Sequence, residues 1–377
     1  MLKAVMTCAM GVALFAGAAS AQTIKVGVIQ PLTGGVAFDG NNVIKGARLA
    51  VKEINDAGGV LGKQIEMVIA DGACKPAESV SAAEKLITAD KVPVLMGAFC
   101  SGATQAVMPV AEKNQIPLVT GVSSLPRLTE AGNRWFFRNA ETDAMLAVAF
   151  SKSLYNDLKF KTVFFMAAND DWGRGTVDSF KKVLEGQGAK TVGTEFFEYS
   201  HADFYTPLTK VRAAKPDLVV VAAETQAAAT LVKQAKELSM NSKIFGVGAW
   251  ATPTFINLAG AASDGLLAGV AYAPTIDGDL NKVFVGKFKD AYNEAPGKYS
   301  MSGYNTMHII AQAIKRAGAA EPAKIRDALP QTDFTGVNGR LRFDDKGQVY
   351  GQNVFLVELM GGQPLVKASA LMEKPAN

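Results

Sequence analysis

Residues 218–223, Leu-Val-Val-Val-Ala-Ala, form an apolar run without a polar face. A run this short, with no amphipathic period, suits a strand covered on both sides, as at the centre of a parallel sheet. Its surroundings agree. Strands expected over 24–29, 64–70, 92–97 and 116–120 alternate with helices over 41–57, 76–89 and 102–113. After an extended piece at 135–138 the alternation restarts. Helices over 144–158, 172–187, 205–213 and 226–238 are interleaved with strands over 162–166, 191–197, 218–223 and 243–247. Strand–helix alternation of this kind predicts doubly wound parallel sheets, so the fold class is α/β with two Rossmann-like units. Later helices are expected over 280–294, 300–317 and 322–329. A β-like end follows at 340–343, 353–359 and 364–366, with Gly361-Gly362 turning a hairpin.

The N-terminus explains why two units fit. Met1-Leu2-Lys3, an apolar stretch over 4–18 and Ala19-Ser20-Ala21 describe a cleaved secretory signal peptide. Cleavage after residue 21 starts the mature chain at Gln22 and leaves 356 of the 377 residues (377 minus 21), too many for one core. Loss of Lys3 lowers the formal charge from +4 to +3, with acidic and basic residues interspersed. Nucleic acid is therefore not an expected partner. Of three cysteines, Cys8 leaves with the signal, and Cys74 and Cys100 remain. In an oxidising compartment such a pair reads as a disulfide, provided the fold brings the two together.

Signals for chemistry are few. The mature chain has two histidines, His201 in a polar loop and His308 inside an apolar helix, and no ligand set at metal spacing. Ser101 lacks the flanking glycines of a nucleophile elbow, because Phe99 stands where one belongs. Residues 246–251, Gly-Val-Gly-Ala-Trp-Ala, match a relaxed dinucleotide fingerprint, but no acidic residue falls in place after it. No catalytic residue, metal or cofactor is assigned, and an enzyme is the weaker class.

Binding signals are better. Ser101 follows an apolar strand and opens a helix, so its hydroxyl and the first free N–H groups can meet an anion. A plain helix cap is the alternative. Phe38, Ser123 and Ser124 lie after strands of the first unit; Asp171, Trp172 and Glu224 lie after strands of the second. In open α/β sheets ligands bind outside those ends, and two such edges facing each other make a cleft. Asp171 could equally cap its helix, and Trp172 and Trp250 could be core.

With these residues in place, the mature chain resembles a type I periplasmic solute-binding protein, of the leucine/isoleucine/valine-binding family of ABC importers. The resemblance rests on Ile24-Lys25-Val26-Gly27, on Asn55-Asp56-Ala57-Gly58-Gly59 with Val60-Leu61-Gly62, and on Cys74 with Cys100-Ser101. Asp171-Trp172-Gly173-Arg174-Gly175 and Phe343-Asp344-Asp345-Lys346-Gly347 complete it. It implies two lobes joined by crossings near 139–143, 270–274 and 340–343. The first lobe would be 22–140 plus 274–340; the second, 141–273 plus 341–377. It implies a Cys74–Cys100 disulfide, a carboxylate site at Ser101, Val122, Ser123 and Ser124, and aromatic contacts from Phe38 on the first loop and from Trp172, where tyrosine is usual.

One position departs from that family. The acid that holds a ligand ammonium would fall on Gly248, and Glu224, Asp171 and Asp143 are the nearest replacements. The expected function is a monomeric periplasmic protein that closes over a small carboxylate, a branched-chain or related amino acid. It would deliver this ligand to an inner-membrane ABC permease. A ligand sensor binding amides or aromatic acids, and more remotely a secreted hydrolase, are the alternatives.

Overall fold

The structure, a computed structural model, describes residues 23–199 and 203–374. The signal segment, Gln22 and His201 lie outside the described residues. Five parallel strands form the first sheet, in the order Gln64–Asp71, Thr23–Gln30, Leu95–Met96, Leu118–Thr120, Phe136–Arg138. The second sheet begins with five parallel strands in the order Lys190–Phe197, Thr162–Ala168, Leu218–Ala222, Lys243–Val247, Leu267–Val270. In chain order both follow the same 2-1-3-4-5 plan, so each lobe reverses direction between its first and third strands. Val349–Met360 then joins antiparallel, carrying the hairpin partner Gln363–Leu371 on one side. Gly339–Phe343 and Phe334–Gly336 extend the ribbon beyond it. Leu218–Ala222 is buried at every position, as its composition requires.

Most elements fall within a few residues of expectation; the exceptions have local causes. The strand expected over 92–97 pairs only at Leu95–Met96, although Val92 and Val94 are buried beside it. Helix Ala37–Asp56 begins before residue 41 with no side-chain cap to announce it. Phe38 and Asp39 therefore lie in the first turn of a helix and not on a loop. At Asp171–Gly186 the cap is Asp170, whose carboxylate accepts from the Gly173 N–H at 2.8 Å, which corrects the capping role considered for Asp171. Helix Pro253–Ala259, capped by Thr252, and strands Leu267–Val270 and Phe334–Gly336 were not anticipated.

Helix Lys298–Ala317 returns late in the chain to the first lobe, where Ile309, Ile310 and Ile314 join the core with Val26, Val28 and Leu95. It lies on helix Ala37–Asp56 at backbone contact. A Cβ on Gly46 would stand 1.8 Å from the Ser300 carbonyl, and one on Gly303 would stand 2.1 Å from that of Val43. Only glycine fits at either crossing point.

The passages between sheets are tied together by buried polar groups. Arg138 donates from Nε to Gln348 Oε1 at 2.6 Å, from Nη1 to the Leu125 carbonyl at 2.6 Å and from Nη2 to Thr129 Oγ1 at 2.7 Å. Gln348 in turn donates to the Ala140 carbonyl at 2.8 Å. Asn338 donates to the Ala271 carbonyl at 3.3 Å and accepts from Asn305 at 3.1 Å.

Candidate ligand site

The switch points of the two sheets face each other. Helices Ala37–Asp56 and Ser101–Lys113 start there in the first lobe, Asp171–Gly186 and Thr225–Glu237 in the second. Between them is a cavity with about 310 Å³ of atom-free space, narrow enough that a water centre fits in only about 20 Å³ of it. Ser101, Val122, Ser123, Ser124, Trp172 and Glu224 line it together. Phe38 and Gly248 do not; Phe38 lies on a neighbouring chamber.

The Ser101 end presents the start of a helix to the cavity. The first-turn N–H groups of Ser101–Lys113 have no carbonyl within their own helix to bond. Ser101 Oγ, buried, accepts the Leu125 N–H at 3.4 Å. The disulfide Cys74–Cys100, with Cα atoms 5.4 Å apart, anchors the residue immediately before it. Ser123 is engaged within the protein: its hydroxyl donates to the Phe99 carbonyl at 2.8 Å and lies 2.6 Å from Thr104 Oγ1, and its N–H donates to Thr120 Oγ1 at 3.3 Å. Ser124 Oγ sits 3.1 Å from both oxygens of Asp143.

The opposite wall is acidic. Glu224 precedes helix Thr225–Glu237 but does not cap it; its carboxyl receives the Tyr299 phenol instead. Burial, and then the neighbouring Asp39 charge, push its pKa up to about 8. Asp39 accepts from Thr225 Oγ1 at 2.7 Å, and burial raises it to about 7 against that bond. Asp143 takes the Trp172 indole N–H at 3.3 Å and is raised to about 6 by burial. Tyr199 donates to Asp170 at 2.7 Å. Lys298, on the same cavity, pairs with Glu141 at 2.8 Å, both buried; burial works against its charge, and the carboxylates more than restore it.

Of the three replacements considered for the missing acid, Glu224 lies on the cavity. Asp143 stands behind Ser124 and Trp172, while Asp171 is half exposed and pairs with Arg127 at 2.6 Å. Gly248 has a backbone reason to lack a side chain. Its φ is +133°, and a Cβ would stand 2.9 Å from the Ala223 carbonyl. Trp250 fills the space beneath, fully buried, with its indole donating to that same carbonyl at 3.0 Å. Residues 246–251 are thus core and no phosphate loop. His308 packs edge-on to Tyr304 at 4.5 Å, with Nε2 3.6 Å from Glu53.

Sequence reasoning missed Asp39, Tyr199, Lys298 and Tyr299. Asp39 adjoins Phe38 and was overlooked beside the aromatic. Lys298 and Tyr299 arrive from a helix far along the chain, and no local signal marks them. Among the described residues no cluster of His, Cys, Asp or Glu could hold a metal ion, and no helix is long and apolar enough to cross a membrane.

Two lobes with one strand plan, meeting at their switch points over a polar cavity, define a solute-binding component of the ABC transporter type. The profile of the periplasmic binding protein family matches residues 23–363, and the chain belongs to that family. It is 31% identical over 342 residues to the leucine-, isoleucine-, valine-, threonine-, and alanine-binding protein of Pseudomonas aeruginosa, covering 90% of this chain and 91% of that one. The isoleucine complex of the branched-chain amino acid transporter substrate binding protein LivJ from Streptococcus pneumoniae superposes with a TM-score of 0.84 at 30% identity, covering 93% and 99% of the two chains. An ABC transporter solute binding protein of Rhodopseudomonas palustris in complex with 3,4-dihydroxy benzoic acid gives 0.85 at 25% identity, covering 93% and 98%.

Proposed function

We propose that this protein binds an α-amino acid between its lobes, without turnover, and hands it to an inner-membrane ABC permease from the periplasm. The lobes are 22–140 with 274–340 and 141–273 with 341–377, and the working form is a monomer. The carboxylate meets the Ser101 hydroxyl and the free N–H groups of its helix, while the ammonium meets Glu224. One observation carries this reading: the anion-receiving helix start and a buried carboxyl stand on opposite lobes of a single cavity. The amino-acid ligands named for the Pseudomonas and Streptococcus relatives support it.

An aromatic acid is the second reading. It is favoured by Phe99, Trp172, Tyr199 and Tyr299 around the cavity and by the dihydroxybenzoate complex of the Rhodopseudomonas relative. Calorimetry on Ser101→Ala and Glu224→Gln separates the two. An amino acid should lose about 1.5–3 kcal/mol with either change, the value of a charge-assisted hydrogen bond; an aromatic acid should lose it only with the first. Wild-type affinity in Ser101→Ala would reduce Ser101 to a helix opening and overturn the site.

A further inference from the structure

Behind Tyr299 lies a second chamber, as narrow as the first. Tyr299 lines both, its ring centroid 4.8 Å from that of Phe99 on the ligand side. Thr225, the residue after Glu224, lines the far side. The ring is therefore a partition between two halves of one cleft.

The walls of this chamber mix polar groups with apolar ones from Phe38, Ala249 and Ala295. Asp39, Asn42, Thr225, Thr252 and Thr254 contribute, and Glu294 closes one end with Lys45 held on it at 2.6 Å. Asp39 is the residue that matters. It is 2% exposed, its bonding partner is Thr225, and among the described residues no cation lies within ion-pair distance of it. A buried carboxyl with Thr225 on one oxygen keeps further acceptor capacity, which a donor meets and a hydrocarbon leaves unmet.

We propose that the chamber is the subsite for the far end of the ligand. It selects amino acids whose side chain donates hydrogen bonds, as a terminal ammonium or carboxamide does, over aliphatic ones. The inference rests on the amino-acid reading above. Tyr299 sets the boundary between the half that grips the α-carbon groups and the half that reads the side chain. Sites built around a polar partner reject an analogue lacking it far more strongly than apolar pockets reject an extra group.

The test is calorimetry of the mature protein with leucine, glutamine and lysine, on wild type, Asp39→Leu and Asp39→Asn. Wild type should bind glutamine or lysine at least tenfold more tightly than leucine, and Asp39→Leu should erase or invert that ratio. Should Asp39→Leu fail to fold, Asp39→Asn tests the same contact: lysine loses affinity while glutamine keeps it, or, where glutamine is the preferred ligand, its advantage over lysine widens. Leucine bound as tightly as the donors by wild type, or a ratio untouched by both variants, overturns the subsite while leaving the amino-acid reading standing. No binding of any amino acid, with an aromatic acid bound instead, overturns both.

Discussion

Arg127 Nη2 donates to Asp171 at 2.6 Å across the boundary between the lobes, while Gln105 Oε1 accepts from the same Nη2 at 2.8 Å and from Nε at 3.0 Å. Both side chains are about half exposed, so this is a contact of the rim. Exposed pairs are worth about 0–1 kcal/mol and fade as salt rises. Arg127→Ala should therefore weaken ligand affinity by less than about fivefold, and by less still in high salt. A loss of tenfold or more in calorimetry would place the pair in the binding machinery.

The Cys74–Cys100 bond closes a loop of sequence separation 26. In the chain-entropy account such a closure stabilises by about 3–4 kcal/mol. Cys74→Ser with Cys100→Ser should lower the free energy of unfolding by that order in a urea titration. Affinity should fall as well, because the bond holds the residue in front of Ser101. A variant equally stable and equally tight would mean that packing alone sets the loop.

Glu224 gives a pH signature. Its pKa is raised to about 8 in the folded protein, with Asp39, Tyr299, Lys298 and Asp170 around it. The free folded state then holds a proton that the unfolded chain releases near its ordinary 4.5, so this group's contribution to stability falls as pH rises between 4.5 and about 8. An ammonium ligand needs the carboxylate, so its affinity should move the other way and rise over the same interval, with proton release on binding. Titrations in buffers of different ionisation enthalpy measure that release directly. Zero release near neutral pH would remove Glu224 from the ammonium site.

Arg138 is fully buried among groups that join the lobes. Arg138→Met removes the charge and five N–H donors, stranding the Leu125 carbonyl and Gln348. We expect a loss of about 3 kcal/mol or more in unfolding free energy. The radius of gyration by small-angle scattering should contract on ligand in wild type and contract less, or variably, in a folded Arg138→Lys. Identical contraction in both would assign the geometry of closure to other contacts.

Much of this was legible because it is written in periods. Apolar runs such as 218–223 declare central strands, and strand–helix alternation declares the doubly wound plan, with ligand residues at strand ends. Ser101, Ser123, Ser124, Trp172 and Glu224 were reached that way, and Val122 through the family resemblance. What escaped depends on three dimensions. Tyr299 and Lys298 reach the cavity because Gly46 and Gly303 let a distant helix lie at backbone contact, and two glycines many residues apart announce nothing. Asp39 was hidden by a helix that begins without a cap, so its first turn read as loop. Ser123 was found but its use was not: in place of facing a ligand, its hydroxyl braces Phe99 and Thr104.

The backbone contact between helices Ala37–Asp56 and Lys298–Ala317 also bears on when the protein can fold. The first lobe cannot seal its core until Ile309, Ile310 and Ile314 have been made, and the second waits for Val354 to Leu359. Neither lobe is a finished unit while the ribosome still holds the last part of the chain. Partners this far apart in sequence meet slowly. The growing polypeptide thus completes neither core until almost its end, so most of its tertiary packing should form only after synthesis is finished.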